Sequence, residues 1–318
     1  MSETSFLELT GVKRTAWVSE MQPGLSFAEH IAIGFFVYVT LAGWALHLGT
    51  RELAFMVVLN AATIATLTML RHHRRRARWL TAAVDLFPAL LLLVAYRESG
   101  LLLTPDSTRH LDTVFIAWDR MLLHNSLVEA TLKFGSPWLQ HYLEFAYLFC
   151  YPLVPLGVAA IHIATREKAP GRLPTDRSER AMNDFWSVVL LATLFSYAVY
   201  PFFPLTPPRV LFGDVPGPHV EPLLRKWNFW LLDHYSVQAC LFPSGHVAAV
   251  TAVALAVRKH APRLGVLFLF AAASVAVATV YGRYHYTADA LAGALVGAVA
   301  YKLADFLKCR RQEPGVRS

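Results

Sequence analysis

Charged side chains are scarce in this sequence. They make up 16% of its 318 residues, where a soluble domain has roughly a quarter. That shortage excludes an ordinary soluble globular protein. Cysteine is scarce too: Cys150, Cys240 and Cys309 are the full set. They show neither metal-ligand spacing nor the even number of a disulfide framework. Cys150 falls within an apolar run and reads as a small buried residue. No glycine-rich nucleotide loop precedes a helix, and no Cys/His cluster is present. Repeats, low-complexity tracts and any soluble appendage of domain size are also missing. Neither a cofactor nor a metal is expected.

Long apolar runs stand in place of the missing charge. Eight can be read, at about 26–48, 52–70, 79–97, 138–165, 178–201, 243–258, 262–281 and 286–307. A stretch of roughly 20 apolar residues crosses a bilayer core. The pattern predicts an all-α, polytopic membrane protein with about eight transmembrane helices. The first run has no small-residue cleavage site after it, and "HLGTREL" leads straight into the second, so it reads as a helix rather than a leader.

Eight spans put both termini on one side. If that side is the cytoplasm, it receives 20 of the 29 Lys and Arg residues, including the block "RHHRRRAR" at 71–78. Positive-inside topology predicts such a bias. Basic blocks also suit an anionic inner leaflet, so the charge of +7 requires no nucleic acid. Basic residues interleaved with aromatics on a wet face, which nucleic-acid binding would need, are not found. The expected partners are the bilayer and a membrane lipid.

On this topology three segments meet at the outer surface. "PSGH", 243–246, opens the sixth run. Helix starts carry unpaired N–H groups and bind anions. Pro243 suits a first helical turn, Ser244 supplies a hydroxyl, Gly245 permits close backbone approach, and His246 would face the anion. The plain alternative is a capped helix with one interfacial histidine. "YGRYHYTADALAG", 281–293, sets His285 and Asp289 four residues apart, one turn along a helix face. A carboxylate there would orient the imidazole, and Arg283 could grip phosphate. The plain alternative is a snorkelling arginine and an aspartate on the helix dipole. "YPFFPLTPPRVLFG", 200–213, closes the fifth run with stiff prolines and Arg209, and could be a structural turn alone. Together the segments suggest attack on phosphorus by one imidazole while the other handles the proton.

The ordered set "PPR", "PSGH" and "H-Y-T-A-D" resembles the membrane branch of the type 2 phosphatidic acid phosphatase superfamily. The resemblance covers about 80–300. It implies a six-helix catalytic core at 79–310, preceded by a tail and two added helices at 1–78 and followed by a cytoplasmic tail at 311–318. By resemblance His285 is the nucleophile, Asp289 orients it and His246 protonates the leaving oxygen. Arg209, Ser244, Gly245 and Arg283 hold the phosphate without a metal. Two positions depart from the common pattern. Thr279 stands where an arginine usually precedes the histidine by six, and Phe202 where a lysine usually precedes Arg209 by seven. Both departures resemble the subgroup containing inositol phosphorylceramide synthases. The implied function is an integral membrane lipid phosphatase or pyrophosphatase acting at the extracytoplasmic face. A lipid phosphotransferase and a non-catalytic lipid-binding or transport protein are the alternatives.

Further residues lie outside the motifs. "LDTVFIAWDRMLLHNSLVEATLKF", 111–134, has apolar residues at near-helical spacing and predicts an amphipathic helix in the membrane interface. His141 and Glu144, at the outer end of the fourth run, are candidates for headgroup contact; the plain alternative for Glu144 is a hydrated carboxylate near the interface. Asp85 and Asp184 read as partners of the basic loops.

Overall fold

The chain is described by a computed structural model covering residues 25–73, 77–103, 109–123, 136–165, 176–211, 223–237 and 239–312. The first helix, α1 (Phe27–Ala45), starts in a capping box: the Ser26 hydroxyl accepts the Glu29 N–H, and the Glu29 carboxylate accepts the Ser26 N–H. There follow α2 (Thr50–His73), α3 (Arg78–Leu101), α4 (Arg109–Leu123), α5 (Pro137–Leu148), α6 (Cys150–Thr165) and α7 (Asp176–Val199). A 3-10 turn at Tyr200–Phe202, β1 (Pro204–Leu205), the one-turn α8 (Pro208–Leu211), α9 (Leu223–Tyr235) and β2 (Cys240–Leu241) then lead to α10 (Gly245–His260), α11 (Pro262–Tyr281) and α12 (Thr287–Gln312). The predicted tail at 1–24, most of the basic loops, 124–134 of the predicted amphipathic helix and the last residues, 313–318, lie outside the described residues.

The protein is an all-α polytopic membrane protein. Among the described residues, six helical stretches are long and apolar enough to cross a bilayer: 27–45, 50–70, 79–101, 177–202, 262–281 and 287–307. Two of the eight expected runs differ. The fourth is not one straight rod; α5 and α6 meet at 61°, with Phe149 between them. The sixth, α10, has 16 residues, fewer than the roughly 20 that a lone span needs. Its place in the bundle compensates, because α6, α7, α11 and α12 all pack on it. Its Ala248, Ala252 and Ala256 are buried, so backbones come close on this side. On α12 a Cβ at Gly293 would run into the Ser244 carbonyl, and one at Gly297 into the Ala248 carbonyl. Only glycine lets α12 lie that near α10.

The sequence predicts no strand, yet β1 and β2 pair antiparallel, with Pro204 opposite Leu241 and Leu205 opposite Cys240. This short bridge fastens the segment before Arg209 to the segment before Ser244. At the far end of α10, Lys259 pairs with Asp184 at 3.4 Å and with Asp305 at 2.6 Å. Asp85 instead reaches His162 on α6, at 3.1 Å.

Candidate active site

Backbone hydrogen bonds stitch the three motif segments together. The Arg209 N–H donates to the Arg283 carbonyl at 3.0 Å, and the Ser244 N–H to the Asp289 carbonyl at 3.1 Å. The Tyr286 hydroxyl donates to the Thr206 carbonyl at 3.1 Å. Between α11 and α12 the chain turns tightly. The Thr279 carbonyl accepts from the N–H groups of Tyr284 and His285, at 2.9 and 3.0 Å. Arg283 sits in this turn at φ 60°, a left-handed conformation that side chains other than glycine seldom adopt.

The fold brings the two histidines together. Their ring centroids are 5.8 Å apart at 63°, and Tyr147 and Tyr151 flank His246. His285 Nδ1 lies 3.4 Å from Asp289 Oδ2. That oxygen also accepts from the Tyr286 N–H at 3.1 Å and from the Cys240 thiol at 3.0 Å. Asp289 is fully buried, and its Oδ1 has no hydrogen-bond partner among the described residues. With Nδ1 turned to the carboxylate, Nε2 is the nitrogen left to react.

Cys240 is the member that sequence reasoning missed. Its Sγ is 3.4 Å from His285 Nδ1, so thiol, imidazole and carboxylate form one cluster. These are donor types a divalent metal such as zinc could use. Burial, and next the Asp289 carboxylate, push the Cys240 thiol well up. In this arrangement it is a hydrogen-bond donor.

The cations come from three places. Arg209 and Arg283 are both half-buried. Thr279, where the resemblance would place an arginine, is wholly buried and closes the turn through its carbonyl. Phe202, where it would place a lysine, is exposed. Burial, and then the neighbouring Arg225, hold the Arg283 guanidinium below its usual range. Arg225, on α9, had no sequence signal. It pairs with Glu144 at 2.6 Å and lies over the Phe229 ring.

Glu144 is therefore not hydrated. It is 2% exposed because α9 covers it. Besides Arg225, its carboxylate accepts from Asn228 at 2.8 Å and from the Tyr284 hydroxyl at 2.6 Å. The Tyr284 ring stacks on Tyr147 at 3.8 Å, which links this network to His246. His141 is exposed, and its Nδ1 meets the Pro137 carbonyl of its own helix, apart from the network.

The helix start differs from expectation in two ways. Pro243 is not in the first turn: Ser244 is the N-cap, its hydroxyl accepting the Val247 N–H, and Pro243 precedes it after a cis peptide bond. Gly245 is required by neighbours within the fold. A Cβ there would strike the Tyr200 hydroxyl and the Tyr197 ring.

A family model for the PAP2 superfamily matches residues 113–303. A Dictyostelium discoideum protein described as a PA-phosphatase related-family protein is 47% identical over 51 residues, a stretch covering 16% of this chain and 9% of that protein. No solved structure matches the chain.

Proposed function

This chain belongs to the PAP2 superfamily, and from that premise we propose that it is an integral membrane enzyme that hydrolyses a lipid phosphate or pyrophosphate at the extracytoplasmic face, through a phosphohistidine on His285. The observation that carries the reading is the meeting of His285, Asp289 and His246 beside the joined backbones of Arg209 and Arg283. His285 Nε2 attacks phosphorus, and the bond to the lipid oxygen breaks. His246 gives its proton to that oxygen, so the lipid leaves as an alcohol, or as a monophosphate when the substrate is a pyrophosphate. Asp289 orients the imidazole and offsets its positive charge. Water then attacks the phosphohistidine, His246 takes the water proton, and phosphate departs. Arg209, Arg283 and the start of α10 at Ser244-Gly245 balance the charge on the five-coordinate phosphorus. Arg283 is half-buried beside the tight turn that carries His285, so an anion bound there would offset its charge.

Thr279 and Phe202 favour a second reading in which a lipid alcohol replaces water as acceptor. One experiment separates the two. Purified protein in phosphatidylcholine vesicles is given phosphatidic acid or an isoprenoid pyrophosphate, and free phosphate is measured. A phospholipid donor with a lipid alcohol is then supplied, and new phosphodiesters are sought. Phosphate release supports hydrolysis, and a new diester without phosphate supports transfer. Neither product, with no acid-labile phosphoprotein, would overturn both.

A further inference from the structure

The helix α4 has two faces with different jobs. Its inner face is built on Asp112, Phe115 and Asp119, spaced by three and four residues and so aligned on one side. Phe115 is buried among Leu205, Cys240 and Tyr286, with its ring 5.2 Å from that of Phe242 and 5.7 Å from that of Tyr286. The two carboxylates on either side of it grip different motif segments. Asp112 accepts the Thr206 N–H at 2.8 Å and the Thr206 hydroxyl at 2.6 Å, three residues before Arg209. Asp119 accepts the Thr287 N–H at 2.8 Å, midway between His285 and Asp289. Thr287 is the first residue of α12, so Asp119 supplies from another helix the partner that a helix-start N–H otherwise lacks.

The outer face is apolar. Val114, Trp118, Met121 and Leu122 recur at helical spacing and are exposed, Met121 by 85%. The stripe does not stand alone. Phe202, at the end of the span formed by α7, and Val210 and Leu211, on α8, are exposed too. Phe242 joins α4 to the end of that span, its ring 5.2 Å from Phe115 and 5.6 Å from Phe203. A helix of this kind, with a tryptophan on its apolar side and lying where α7 ends and α12 begins, fits the boundary between headgroups and acyl chains.

We propose that α4 is a membrane-docked clamp: its Val114–Trp118–Met121–Leu122 stripe rests in the bilayer interface, and Asp112 and Asp119 act as positioning residues for the segments carrying Arg209 and His285–Asp289. The proposal rests on the reading of that site as a lipid phosphatase centre. Under it, the surface that delivers the substrate also sets the catalytic geometry.

The test uses the full chain in phosphatidylcholine vesicles, with readouts independent of turnover beside those that need it. With phosphatidylcholine brominated near the headgroup, the chain should lose less tryptophan fluorescence as Trp118→Phe than as wild type. Equal quenching would mean that protein, not lipid, covers the stripe, and would overturn the docking. Backbone hydrogen exchange at 286–289 should speed up about tenfold in Asp119→Ala, the size of one lost cap. Asp119→Asn should exchange like wild type, since its amide oxygen still accepts. In the double variant Trp118→Ser/Met121→Ser, exchange at 286–289 should also rise. Turnover of p-nitrophenyl phosphate, a soluble ester, should fall with KM little changed. Unaltered exchange in Asp119→Ala, or a fully active double variant, would overturn the clamp. A wild type inactive on both p-nitrophenyl phosphate and phosphatidic acid would defeat the phosphatase reading instead, with exchange and quenching still deciding the clamp.

Discussion

The Arg209 N–H donates to the Arg283 carbonyl at 3.0 Å, so two arginines 74 positions apart in sequence share one backbone contact at the mouth of the site. Arg283 holds its side of that contact at φ 60°, which an arginine adopts only under constraint. Arg283→Gly accepts the same turn without strain. It should therefore fold with a thermal midpoint no lower than wild type, while inhibition by vanadate, a mimic of five-coordinate phosphorus, weakens sharply. Arg283→Lys keeps the charge but not the planar fork, and should fall between the two. Undiminished vanadate inhibition in Arg283→Gly would remove the side chain from the phosphate site.

The pair His285–Asp289 gives the second prediction. His285→Ala should abolish turnover together with any acid-labile phosphoprotein seen by rapid quench. Asp289→Asn should fold but lose orders of magnitude in rate, because the amide leaves the imidazole in the wrong tautomer. Near-normal rates in either variant would contradict the assignment.

Cys240 yields a prediction with a sign. Its thiol shares Asp289 Oδ2 with His285 Nδ1 and the Tyr286 N–H, and the Tyr284 carbonyl and Arg209 also act on it. In Cys240→Ala the carboxylate that orients the imidazole has one donor fewer, so kcat should fall with KM little changed. Cys240→Ser keeps a donor and should retain most of the rate. Equal rates for Cys240→Ala and wild type would show that the thiol only fills space.

Gly245→Ala should destabilise the fold by about 1–3 kcal/mol through overpacking. Its Cβ would strike the Tyr200 hydroxyl. Tyr200→Phe removes that oxygen and should restore part of the loss. Thermal unfolding of the single and double variants measures this, and no recovery would place the clash elsewhere.

Orientation is open to a direct measurement. In a background with Cys150→Ala, Cys240→Ser and Cys309→Ser, single cysteines at Gly213 and Ala77 should react oppositely with an impermeant maleimide added to intact cells. Labelling at Ala77 from outside would reverse the topology and move the site to the cytoplasmic face.

Local patterns carried the sequence reading as far as it went. Apolar runs marked the spans because each lies along one stretch of chain. His285 and Asp289 could be named because four residues make one helical turn. What stayed hidden depends on pairings between remote segments. Glu144 looks like an interfacial carboxylate until α9 brings Arg225 and Asn228 onto it. Asp112 and Asp119 carry no signal of their own within the amphipathic pattern until Thr206 and Thr287 meet them. Cys240 has no metal-ligand spacing to mark it until the β1–β2 bridge sets it against Asp289. The bend between α5 and α6 is hidden because Phe149 continues the apolar run without a break.

Gly293 and Gly297 have a mechanical consequence. With the α12 backbone resting on the carbonyls of Ser244 and Ala248, the spacing between the helix of His246 and the helix of Asp289 is set by backbone lying on backbone. A single methyl group added at position 293 or 297 would widen it. Under the proposed function, Gly293→Ala would then lower turnover without removing any group that touches the phosphate.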